Sequence, residues 1–126
     1  MSFSNYLENK VLGHVFGATP YPAPGTLYVG LYTSDPGDGN TGTEVAGGSY
    51  ARQSVAFTVT GNQASNTAAV EFPTATASWG TVTYAAVFDA VSGGNMMSYG
   101  ALTTSKTIAS GDVLRIPAGD FDINLD

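Results

Sequence analysis

The stretch from Trp79 to Leu102, WGTVTYAAVFDAVSGGNMMSYGAL, decides the fold. Up to Asp89 its side chains alternate, placing Val82, Tyr84, Ala86 and Phe88 on one face, which is the signature of a half-buried strand. Ser92, Gly93, Gly94 and Asn95 are turn formers, and MMSYGAL after them reads as the next strand.

The period of two extends outward in both directions. In LYVGLYT, residues 27–33, Leu27, Val29 and Leu31 face one way while Tyr28, Gly30 and Tyr32 face the other. In VAFTVT, residues 55–60, Val55, Phe57 and Val59 oppose Ala56, Thr58 and Thr60. GNQASN, residues 61–66, reads as a turn into TAAVEF, and DVLRI and DFDINLD read as the last two strands. About seven strands with regularly spaced turn signals predict a sandwich or barrel. Ahead of them, residues 3–16 predict a helix with Ser4 or Asn5 as N-cap, Glu8 placed as in a capping box, and Gly17 as its stop. Leu7, Val11 and Val15 form one stripe, with Leu12 and Phe16 beside it, so this helix needs a surface to cover. GATPYPAPG, residues 17–25, has three prolines and reads as an extended connector. The expectation is an all-β, mainly antiparallel fold, a β-sandwich or jelly-roll-like domain with one short N-terminal α-helix. One domain spans residues 1–126, with the sandwich over 26–126.

A chain of 126 residues can bury about two-thirds of its unfolded surface without staples. It has no cysteine, which removes disulfides, thiolate nucleophiles and cysteine zinc sites. Its formal charge is −6, with only Lys10, Arg52, Lys106 and Arg115 to meet phosphates, so nucleic-acid binding is not expected. MSFSNYLENK lacks a basic segment followed by an apolar run, and no 18 apolar residues are consecutive, so neither a signal peptide nor a membrane span is expected. Charged residues make up 11% of the chain against about 25% in an average domain. A surface so poor in charge suits contact with other chains, because neutral polar groups cost less to desolvate than ions.

Candidate chemistry is sparse. The loop SDPGDGNTGTE, residues 34–44, fails the EF-hand spacing from either Asp35 or Asp38, leaving an irregular calcium set of Asp35, Asp38, Asn40 and Glu44 against ordinary turn chemistry. The tail puts Phe121, Ile123 and Leu125 on one face and Asp120, Asp122, Asn124 and Asp126 on the other, a charged edge strand or a cation ladder. His14 is the only histidine and lies in the helix, so neither a Ser-His-Asp triad nor a histidine metal cluster is available without it. Glu44, Glu71 and Asp89 are the carboxylates from which a glycosidase pair could be drawn. No glycine-rich phosphate loop ends in Gly-Lys-Ser/Thr. Tyr28 and Tyr32, and Tyr99 near Met96 and Met97, offer a surface for core packing, for a subunit, or, with Trp79, for stacking on a sugar.

In their order and spacing, the capped helix, LYVGLYTSDP, WGTVTYAAVFDA and ALTTSKTIASGDVLRIPAG resemble a family of small virion proteins of tailed bacteriophages, of the tail-fibre-like and head-structure kinds, from Tyr6 to Leu125. The resemblance implies a non-enzymatic structural protein located in the virion, assembled in the host cytoplasm, with no cofactor and no catalytic or metal residues. Head decoration or cementing of the shell is the first expectation, with the major capsid protein or another virion protein as partner and a homo-oligomer, preferably a trimer. A tail-fibre or spike-base component is the alternative, and a carbohydrate-binding module is the rival from another class. Tyr28, Tyr32, Asp35, Asp38 and Tyr99 are the expected subunit or capsid contacts.

Overall fold

A computed structural model describes residues 1–125. Asp126, and with it the last position of the acidic face expected for the tail, lies outside the described residues. The elements run β1 (Ser2–Phe3), α1 (Asn5–Phe16), β2 (Leu27–Tyr32), β3 (Gln53–Val55), β4 (Phe57–Thr60), β5 (Gln63–Asn66), β6 (Val70–Glu71), β7 (Gly80–Phe88), β8 (Met96–Ile108), β9 (Arg115–Ile116) and β10 (Asp122–Asn124). They form a five-stranded sheet in the order β1-β8-β7-β2-β3, a three-stranded sheet β10-β5-β4 and a two-stranded ribbon β6-β9. The named pairings are all antiparallel, so the all-β, mainly antiparallel expectation with one short helix holds.

The hairpin of β7 and β8 is the spine of the larger sheet, joined by a turn in which the Asp89 carboxylate accepts from the Asn95 backbone and side chain at 2.7 and 3.0 Å. One expected face is corrected here. Between Val82 and Tyr84 the partner on β8 jumps from Lys106 to Ala101, and this irregularity reverses the alternation. Val82 therefore joins Ala85 and Val87 in the main core, while Tyr84, Ala86 and Phe88 lie against the other face.

Three boundaries also differ from the sequence reading. Ser2 and Phe3 are a strand on β8, and the helix starts only at Asn5, because Ser4 is the N-cap: its Oγ accepts from Leu7 N at 3.1 Å and donates to the Met96 carbonyl. VAFTVT divides at Ala56, so that β3 pairs with β2 while β4 pairs with β5 in another sheet. GNQASN is a turn only at its start, where Gly61 holds φ 60°; Gln63–Asn66 is β5, the centre of the three-stranded sheet.

A main core unites the sheets: Val29, Leu31, Val87 and Met97 from the large sheet meet Ile116 of the ribbon, Phe72 beside it, and Phe121 beside the small sheet. Burying such side chains contributes about 1.5–3 kcal/mol each before entropy is counted. Trp79 lies in this core, edge-on to Tyr50 and Phe72, with its Nε1 donating to Gly48 O at 2.9 Å. A smaller cluster of Tyr32, Ala86, Phe88 and Met96 covers the opposite face of the large sheet.

Candidate functional site

The loop after β2 folds back over that smaller cluster. Its shape follows from local hydrogen bonds: Gly37 N donates to Asp35 Oδ1 at 2.9 Å, Thr41 N to Pro36 O at 2.7 Å, and Thr43 N to Ser34 Oγ at 2.9 Å. Longer contacts then fasten it. Tyr32 Oη donates to Asn40 Oδ1 at 2.6 Å, Tyr99 donates to the Asp38 carboxylate, and Asn5 N donates to Asp38 O at 2.9 Å. Glu44 ends the loop in an isolated bridge with Tyr32.

Below the loop lies a polar knot. Arg52 Nε and one terminal nitrogen donate to the two Glu44 oxygens at 2.8 and 2.9 Å, Tyr50 Oη donates to Glu44 Oε2 at 2.6 Å, and Leu31 N donates to Tyr50 Oη at 2.9 Å. The guanidinium also donates to the carbonyls of Ala90 and Gly93 at 2.9 and 2.8 Å and lies 3.5 Å over the Phe88 ring. Burial, then the Glu44 hydrogen bond, holds the Tyr50 hydroxyl far above its ordinary range. Burial works against the Arg52 charge, but Glu44 outweighs it and the Arg52 pKa rises. Burial, followed by the Glu44 charge, pushes Tyr32 up to about 12.

This placement separates the chemical candidates. Asp35, Asp38, Asn40 and Glu44 each have a protein donor on a side-chain oxygen, and no group of three His, Cys, Asp or Glu is gathered for a metal among the described residues. Glu71 is exposed on the two-stranded ribbon, and Asp89 closes the β7–β8 turn. Burial raises the Asp89 pKa, but the Asn95 hydrogen bonds prevail and lower it, opposite to what a general acid needs. His14 Nδ1 accepts from Tyr21 N at 3.1 Å and ties the connector to the helix. Buried Trp79 presents no face for a sugar. Of the expected contact residues, Asp35 and Asp38 are exposed, Tyr28 and Tyr99 are half-buried, and Tyr32 is inside.

An apolar groove of about 350 Å³ opens where α1 and the connector approach the small sheet. Phe3, Leu7 and Tyr21 line one side, and Val59, Ile123 and Leu125 the other. Ser98, also in its lining, is 1% exposed and has an Oγ with no hydrogen-bond partner among the described residues. No charged residue lines the groove among the described residues. Sequence reading missed it because its walls come from seven strands, the helix and the connector. The only available signal was the apolar alternation of FTV and FDINL without partners assigned.

Residues 2–124 match the model of a family described as Podophage GP4 fiber I protein gp80, so nearly the whole described chain is similar to it. A search of curated proteins gives no match.

Proposed function

Since the chain belongs to the Podophage GP4 fiber I protein gp80 family, and is thus a phage structural protein of the virion, we propose that it builds a fibre of the tail rather than decorating the head. The observation that carries this reading is the match to a fibre family over residues 2–124. Neither head decoration nor the threefold arrangement expected with it has comparable support. The chain acts as a building block without catalysis, a reading supported by carboxylates engaged in the loop, the knot and the β7–β8 turn. Its partners are other virion proteins and further copies of itself. On the loop side, exposed Asp35 and Asp38 are the contact residues, with Tyr28 and Tyr99 contributing ring edges and Tyr32 supporting them from within.

Immunogold labelling of intact particles tests the location. Label on tail appendages is the expected result; label spread over the head shell overturns the fibre reading.

A further inference from the structure

A cleft of about 400 Å³ lies between the β7–β8 turn and the segment from Glu44 to Arg52, with both members of the ion pair in its lining. Hydrogen-bonding capacity there is nearly, but not wholly, used. A guanidinium has five N–H donors, and Arg52 places four of them, on Glu44 Oε2, Glu44 Oε1, Ala90 O and Gly93 O. The fifth, on the nitrogen that meets Oε1, has no partner among the described residues, in a side chain only 8% exposed. A carboxylate has about four acceptor sites, and on Glu44 three are taken, one by Tyr50 and two by Arg52, so Oε1 keeps one. A spare donor and a spare acceptor therefore stand side by side, on atoms 2.9 Å apart. Leaving a buried donor unpaired is costly, and such a donor beside a cavity points to something that fills it.

We propose that the cleft binds a neutral saccharide through two hydroxyls on neighbouring ring carbons, one accepting from the Arg52 guanidinium and the other donating to Glu44 Oε1. Charge selects against ions. Glu44 and Arg52 offset each other, so an anion meets the Glu44 carboxylate on a chain of −6, and a cation meets the guanidinium. A hydroxyl pair both donates and accepts, and so satisfies both atoms. The rest of the lining suits a sugar ring: Val91, 56% exposed, offers an apolar surface to ring C–H groups, and Ser92 in the same turn adds an exposed hydroxyl. The recognition atoms are set in place beforehand, because the guanidinium lies 3.5 Å over the Phe88 ring and Tyr50, stacked on Phe72, holds Oε2. Such preorganisation lowers the ordering cost of binding. The volume is near the small end of ligand-sized pockets of about 300–1,000 Å³ and suits a monosaccharide or the end of a longer chain. The site is independent of where in the particle the protein stands.

Amide NMR of the full chain, titrated with glucose, galactose, mannose and rhamnose, tests the proposal, with sorbitol as an open-chain polyol and glucuronic acid as a charged ring. Saturable shifts in residues 44–52 and 90–93 are expected with at least one neutral sugar, with a dissociation constant on the order of 1 mM. Arg52→Lys keeps the charge but loses the fork of donors, and Val91→Asp alters the rim without touching the knot. Each is expected to weaken binding roughly tenfold or more, whereas Val113→Asp, exposed and outside the cleft, leaves it unchanged. Circular dichroism checks that the variants stay folded, and Val91→Asp decides the matter if Arg52→Lys does not. Absence of shifts with all four sugars, binding that survives Val91→Asp, sorbitol matching the sugars, or glucuronic acid binding more tightly than they do overturns the proposal.

Discussion

Gly30 stands between Tyr28 and Tyr32 on a buried strand, and its lack of a side chain admits the polar knot. A Cβ there would lie 2.9 Å from Glu44 Oε2, 3.0 Å from the Phe88 ring and 3.2 Å from Tyr50 Oη. Gly30→Ala is expected to destabilise by about 1–3 kcal/mol, since none of these neighbours can move without loosening the ion pair. Urea denaturation checks it, and unchanged stability would show the knot to be slack. Tyr32 gives a second test at this scale. Its pKa is raised from 10.0 to about 12 in the folded chain, so the fold favours the neutral phenol. The associated stability is whole below pH 10 and is lost as pH rises through about 12. Tyr32→Phe is therefore expected to flatten the fall in stability over that window, measured as the denaturation midpoint against pH. The alternation of LYVGLYT made the Tyr28–Gly30–Tyr32 face legible, and burial on both sides was not. Glu44 and Arg52 are eight residues apart across an irregular segment, and no periodicity pairs such positions.

At the scale of elements, the strand pattern was legible and the partners were not. β7 and β8 were visible from alternation around SGGN, but the continuation of β8 to Ile108 was not, because TTSKT is exposed and has no apolar alternation to read. Ala56 is where one continuous period of two crosses between sheets; alternation records which side is buried, not which neighbour bonds. The helix signals at Ser4 and Gly17 were legible because capping is local chemistry. Ser4 does more than cap, since its hydroxyl also reaches the Met96 carbonyl from 92 residues away in sequence. Ser4→Ala is expected to cost about 1–3 kcal/mol, the lost cap plus a buried carbonyl left with one partner fewer. A chemical melt that matches wild type would count against this double role.

At the scale of the molecule, the carboxylates of the loop, the knot and the β7–β8 turn are bound up in its own architecture: with Arg52, with tyrosines and with backbone donors. Treatment with a calcium chelator is accordingly expected to leave the melting temperature unchanged, and a fall of several degrees would restore a cation to the loop. The groove was not legible in the sequence because it belongs to no single segment, whereas the uncovered stripe of α1 was. The attachment of that helix has a mechanical consequence. Its N-terminal side is held by the two-residue ladder of β1 on β8 and by Ser4, while β7 and β8 share a far longer ladder. Tension entering through α1 meets the short ladder first, which makes β1 a fuse: it yields and lets the helix swing out while the hairpin stays whole. Single-molecule pulling from the N-terminus is expected to show a small early rupture before the main one, and a single rupture would deny the fuse.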